Sequence, residues 1–202
     1  YERDFAKHPN LSEFPKISMI WKSIPSQLVR ENKKFIYKVV KEGARAREYE
    51  NALQWLVDAR LVHKIYRSSA PGLPIAAYDD LSAFKIYLVD VGLRRMLLGS
   101  RSYDVGRVLE NVVYIELLHR QNQVYVGKTD DQEVDFVAIG SEGIAYYQVS
   151  ASVRDEATLA RELASLKKID DQYPKYVLTL DDDPVSDYEG IRRMNVLEWL
   201  LG

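Results

Sequence analysis

The segment from Arg107 to Leu180 alternates between helical and strand spacing, and this order limits the possible folds more than any other feature of the chain. "RVLENVVYIELLHR" repeats apolar residues at helical intervals, with Val108, Val112, Ile115 and His119 assigned to one side. Three short β-branched or alternating runs follow: "QVYVG", "EVDFVAI" and "IAYYQVS". "DEATLARELASLKKID" returns to helical spacing, and "KYVLTL" reads as a buried strand ahead of "IRRMNVLEWLL". The expected order is αβββαβ, with a mixed sheet covered by helices on both faces.

The first half is patterned differently. "SMIWKSIPSQLVRE" puts Ile20, Ile24 and Leu28 at helical spacing, and Pro25 is expected to kink or split that helix. "ARAREYENALQWLVDARL" is the clearest helix, with Tyr49, Leu53 and Leu56 on one face and Ala52 and Ala59 beside them. "LVHKIYRS" and "IAAY" flank the turn "SAPGLP" as a hairpin. "FKIYLVD" is a further strand, and Asp90 is placed to cap "VGLRRMLLG". Helices followed by a two-stranded wing describe a winged-helix module, whose third helix would begin near Arg45. The expected fold class is therefore α+β: a winged-helix module over residues 1–100, then a restriction-endonuclease-like αβββαβ domain over residues 101–202.

Charge divides along the same line. The net charge of −2 is the sum of +6 over residues 1–100 and −8 over residues 101–202. Such asymmetry suggests modules with different partners, the basic one suited to a polyanion. Lys33, Lys34, Lys38, Lys41, Arg45 and Arg47 crowd the approach to the third helix, and Lys64 and Arg67 lie on the wing. In a winged helix these cations would meet DNA phosphates, with Arg45 and Arg47 near base edges. The competing reading is a solvated face, or a surface that docks another domain or protein. The chain has no cysteine, which excludes disulfides and thiolate metal sites, and its three histidines have no metal-ligand spacing. No apolar run is long enough for a membrane helix and no signal peptide opens the chain, so a cytoplasmic setting is expected. The opening "YERDFAKHPN" reads as the interior of a longer protein.

Asp135 lies inside the second strand of the second half, and the third strand ends in Gln148 and Ser150. With Glu110 on the preceding helix, these residues resemble the metal site of the PD-(D/E)xK nuclease core. In that family a helix acid, a strand-two Asp and a strand-three acid hold a divalent metal that activates water, and a lysine two residues further on assists. Glu110 and Asp135 match that pattern, whereas Gln148 replaces the acid and Ser150 the lysine. The resemblance thus implies a degenerate and inactive site, with Mg²⁺ held weakly at most by Glu110 and Asp135. An active nuclease would require a relocated lysine, for which Lys128, Lys167 and Lys168 are candidates. Asp181–Asp183 superficially suggest a cation site and are read as a solvated turn.

A second resemblance is longer. "IPSQLVRENKKFIYKVVKEGARAREYENALQWLVDARLVHKIYRS", "FKIYLVDVGLRRMLL", "GRVLENVVYIELL", "EVDFVA", "YYQVS" and "YPKYVLTLD" in this order resemble the C-terminal half of a family of prokaryotic AAA-type ATPases. That resemblance implies a P-loop ATPase domain ahead of this region. No G-x-x-x-x-G-K-[ST] occurs in the sequence, so ATP is expected only in that other domain. The function expected is an accessory, DNA-binding region whose partners are DNA, its own ATPase domain, or another protein. The alternatives are a metal-dependent nuclease and a pure protein-interaction module.

Overall fold

The computed structural model describes residues 13–29, 34–68, 79–99, 104–128 and 132–202. Lys33, the "SAPGLP" turn and "IAAY" lie outside them, as does His8. The chain is mixed α/β and divides into two compact units, Tyr1–Lys64 with Phe84–Tyr103, and Ile65–Ala83 with Asp104–Gly202. Among the described residues no helix is long and apolar enough to cross a membrane.

In the first half, α1 (Phe14–Leu28), the single turn α2 (Tyr37–Val40) and α3 (Ala46–Asp58) precede strands β1 (Val62–Ser68) and β2 (Asp79–Leu88), whose residues Ile65–Ser68 and Asp79–Ala83 fall in the second unit, and α4 (Val91–Leu98) follows. Helix α1 continues through Pro25 instead of splitting there. Pro25 lies in the last turn, where few backbone bonds remain to be lost. Ile17, Ile20, Trp21 and Ile24 form its buried stripe and pack in a core with Tyr49, Ala52, Leu53 and Leu56 of α3. Gln27 is buried among them, and its amide both donates to the Ile36 carbonyl (2.9 Å) and accepts from the Ile36 N–H (3.1 Å). This reciprocal pair holds the extended segment before α2, while Phe35 stacks on Phe84 with ring centroids 5.0–5.3 Å from its two aromatic neighbours. Asp90 caps α4 by accepting from the Leu93 N–H.

The second unit follows the order α5 (Val105–His119), β3 (Gln123–Lys128), β4 (Glu133–Gly140), β5 (Gly143–Val149), α6 (Glu156–Lys167) and β6 (Lys175–Thr179), and closes with β7 (Ser186–Tyr188), β8 (Ile191–Asn195) and α7 (Val196–Leu201). The mixed sheet has eight strands in the order β2-β1-β3-β4-β5-β6-β8-β7. β3–β4 and β4–β5 are antiparallel hairpin pairs, whereas β5–β6 and β6–β8 are parallel, with α6 and the β7 turn as their crossovers.

Side chains of neighbouring strand residues face opposite ways, so β4 identifies the two layers. Phe136 stacks on Tyr114 of α5, and Val137 joins a cluster with Leu163 and Leu166 of α6. Helix α5 buries Leu109, Glu110, Val113, Tyr114 and Leu117, one position round from the assigned stripe, and His119 is exposed. Both stripes of this helix are apolar, and contact with the sheet selects the one that carries Tyr114.

Strand β4 is not regular. Tyr125 pairs with Val137 and Gly127 with Val134, two steps along β3 against three along β4. The surplus residue is a β-bulge at Asp135–Phe136. Its effect is visible in the core: Val134 and Val137, three residues apart, both join the α6-side cluster, which an unbroken strand would forbid. Gly127 is opposite the bulge, where a Cβ would come within 2.9 Å of Val137 and 3.1 Å of Val134. Gly127→Ala should therefore overpack this point and destabilise the protein by about 1–3 kcal/mol, measured by urea unfolding. An unchanged midpoint would mean the bulge can relax around an extra methyl.

Candidate functional site

The bulge also explains the polar residues at the end of the β4–β5 hairpin. The Ser150 N–H bonds to the Leu178 carbonyl of β6 (3.1 Å), so by alternation the Val149 N–H is directed at β4. There the ladder is broken, and the Asp135 carboxylate accepts that N–H at 3.0 Å. The Asp135 N–H is accepted in turn by Gln148 Oε1 at 3.2 Å. Gln148 Nε2 donates to Glu162 of α6 (2.7 Å), and Glu162 also accepts from Arg161 (2.7 Å). Asp135 and Glu162 are 4% and 7% exposed. Buried backbone donors need acceptors, and these side chains supply them where the bulge removes the strand partner.

Glu110, 3% exposed, lies one helical turn before Tyr114, whose ring stacks on Phe136 beside Asp135. The start of α5 reaches the same end of the hairpin, since a Cβ on Gly106 would lie 4.0 Å from the Ala151 nitrogen. The fold thus gathers Glu110, Asp135, Gln148 and Ser150 at one end of the sheet. The Ser150 hydroxyl donates to the Ser152 carbonyl (3.0 Å), a turn contact and not a substitute for a lysine. Of the candidate lysines, Lys128 is exposed at the end of β3 and Lys167 is paired with Glu189 at 2.9 Å. Among the described residues no group of three or more acidic or histidine side chains is placed to hold a metal ion.

Glu162 is the member of this network that the sequence reading passed over. Its signal is a carboxylate inside an apolar stripe: Leu159, Leu163 and Leu166 share its face of α6. A charged residue in that register must find buried partners, and Gln148 is one.

The adjoining end of β6 holds a second polar cluster, which corrects the reading of Asp181–Asp183 as a solvated turn at Asp181 alone, since Asp182 and Asp183 remain open to solvent. Asp181 is buried and accepts from the Ser152 hydroxyl (2.7 Å) and the Val153 N–H (2.8 Å). Arg154 spans Asp182 (2.5 Å) and Asp183 (3.1 Å). Burial pushes the Asp181 carboxyl up, but the Val153 and Ser152 hydrogen bonds with the nearby Arg154 and Arg193 charges outweigh it and hold the group below the usual aspartate range. The carboxylate's contribution is thus present at neutral pH and is lost as pH falls through the depressed folded value. Asp181→Asn should lower the urea midpoint at pH 7, and the gap to the native chain should close in acid.

The basic residues of the first half separate into two groups. Lys38, Lys41, Arg45 and Arg47 are exposed around the start of α3, and none makes an ion pair or side-chain hydrogen bond among the described residues. Lys34 is half-buried and engaged. Lys64 departs from its expected place on a DNA-facing wing, because its side chain is only 8% exposed. Its ammonium lies 4.4 Å from the Phe84 ring centroid and 3.8 Å from Glu50. Arg67 is likewise turned into the protein, ion-paired with Glu133 of β4 across the sheet. Their long stems are more stable against apolar surface than in water.

Gln148→Ala should cost about 1–3 kcal/mol, the usual penalty for leaving a buried donor without its acceptor. Gln148→Glu should destabilise at pH 7, where a second carboxylate would face Glu162, and recover as pH falls through the carboxylate range. Urea unfolding at pH 7 and pH 4 distinguishes the two variants. A Gln148→Glu protein as stable as the native chain at pH 7 would contradict this account of the network.

Comparison with known proteins adds one relative, described as an uncharacterized protein of Haemophilus influenzae, 37% identical over 117 residues. The match covers 58% of this chain and 28% of the relative, so the chain corresponds to much less than two thirds of that protein's length. No solved structure matches the chain at a significant level. A family model described as a domain of unknown function, DUF8612, matches residues 1–104, about half of the sequence, and the chain belongs to that family.

Proposed function

We propose that this chain is the DNA-contacting accessory region of a larger protein, and that its nuclease-like hairpin end is a structural element. The observation that carries the first part is the set Lys38, Lys41, Arg45 and Arg47, exposed and unpaired among the described residues where the chain enters α3. An amphipathic helix with its apolar face in a core and a cluster of cations at its N-terminal end suits the phosphate backbone of a duplex. The helices and the β1–β2 pair are read as a winged helix in which α3 is the recognition helix. On this reading the motor implied by the resemblance to AAA-type ATPases would lie elsewhere in the whole protein, and DNA, that motor or another protein would be the partner of this region.

The network at Asp135 supports the second part. A catalytic carboxylate needs lone pairs open to metal or water, and here one Asp135 oxygen is bound by the Val149 N–H. Gln148 Oε1, at the position of the family's third ligand, is occupied by the Asp135 N–H. Glu110 and Asp135 would then offer Mg²⁺ a weak site at most, and the role of Asp135 is to complete a broken ladder.

The test is fluorescence anisotropy of a labelled duplex in a salt series without added metal. The native chain should bind at low salt and weaken steeply as salt rises. Replacing Lys38, Lys41, Arg45 and Arg47 by Ala should reduce the slope of log K against log salt by about three to four, roughly one for each lost phosphate contact. An affinity and slope unchanged by the fourfold variant would place any DNA surface elsewhere. No binding at all would leave protein docking as the function of this face.

A further inference from the structure

A cavity of about 290 Å³ opens at the opposite end of the β4–β5 hairpin from Asp135, around the Gly140–Gly143 turn. Its origin is local. Ala138 pairs with Ala145 and Gly140 with Gly143, so two adjacent strands present almost no side chain on the α5 face. Taller groups stand around this bare floor. Tyr147 and Tyr176 are register partners on β5 and β6, and their rings stack at 5.1 Å with 17° between planes. Across from them, Arg120 and Asn122 descend from the end of α5.

The polar atoms of that rim are incompletely used. Arg120 Nε donates to Glu116 (2.8 Å) and Nη2 to the Trp199 carbonyl (2.6 Å), which fixes the guanidinium over the Trp199 ring and leaves Nη1 able to donate. Asn122 Nδ2 is committed to the Leu117 and Arg120 carbonyls (3.0 and 3.4 Å). Those two acceptors fix the amide orientation, so Oδ1 is a spare acceptor. It lies against Gly140, where a Cβ would be only 2.4 Å away. Arg120 and Asn122 thus both line the cavity, with alanine and glycine as its floor and Tyr147 and Tyr176 as an aromatic wall.

We propose that this cavity is a binding site for a nucleobase-type ring, flat, apolar on its faces and carrying an acceptor and a donor on one edge. A cavity of about 290 Å³ has room for one small planar ring, and placed polar groups set the orientation of such a ligand. Arg120 Nη1 would donate to a ring carbonyl or ring nitrogen, and Asn122 Oδ1 would accept from a neighbouring ring N–H or amino group. The ring could come from a free nucleotide or from an unpaired base of a nucleic acid, and both present the same edge. The site is separate from the α3 surface, and its success or failure does not depend on duplex binding there.

The experiment is saturation-transfer NMR with the full chain and AMP, GMP, CMP and UMP, each tested again as a single-stranded homo-oligonucleotide. At least one base should receive saturation at its ring protons more strongly than at its ribose. That transfer should fall at least fivefold in Ala145→Leu, which fills the floor, and in Asn122→Asp, which alters the edge and adds no bulk. Thermal melting of both variants establishes that they fold. Transfer to mononucleotides alone identifies a free-nucleotide site, and transfer restricted to the oligonucleotides identifies an unpaired-base site. No transfer from any probe, or equal transfer in folded variants, overturns the proposal.

Discussion

The Asp135–Gln148 exchange is the contact on which the second unit's geometry depends. A bulge in a central strand leaves backbone N–H groups without ladder partners, and a buried donor without an acceptor is strongly disfavoured. Here the carboxylate of one strand accepts the N–H of the next, and the amide of that strand returns the contact. With its donors satisfied, the bulge becomes a fixed feature. It aligns Val134 and Val137 on the α6 side while Phe136 meets Tyr114 on the α5 side. The two helical layers are therefore held in register by a polar contact between them, extended through Gln148 to Glu162.

That arrangement changes what a carboxylate in a strand signifies. Asp135 and Glu110, taken as residue types near a hairpin, suggest metal chemistry. In the fold, one Asp135 oxygen and the Gln148 carbonyl oxygen serve the backbone, and Ser150 closes a turn. The acidic character of the second half also has internal uses: Asp181 binds the Ser152–Val153 backbone, and Asp182 and Asp183 neutralise Arg154. The basic character of the first half is used less internally. Lys64 and Arg67 are consumed by Phe84, Glu50 and Glu133, but the four cations around the start of α3 are not.

The order of elements in the second half was legible because hydrophobic period is a local property. A helical repeat or an alternating run survives whatever the rest of the chain does, and the αβββαβ order needs nothing else. Helix faces were less legible. Helix α5 carries two apolar stripes, and the choice between Val108–Val112–Ile115 and Leu109–Val113–Leu117 depended on which fits the sheet. A proline at Pro25 predicts a kink or a split in α1, yet the helix runs on through it, because its place in the final turn leaves few backbone bonds to lose. Glu162 was visible in principle, as a charge within a leucine stripe.

The sequence by itself determined the alternation of helix and strand, the cap at Asp90, and the division of charge between the halves, because these depend on residue type and on neighbours a few residues apart. Only the tertiary structure decided the bulge, the partners of Asp135 and Gln148, the burial of Lys64 and Arg67, and the bare floor beneath Tyr147 and Tyr176. Each of these joins residues distant in the chain, and strand register sets which of them meet. A shift of one position in β4 exchanges the faces of every residue beyond it, and no local pattern in "QEVDFVAIG" specifies that shift.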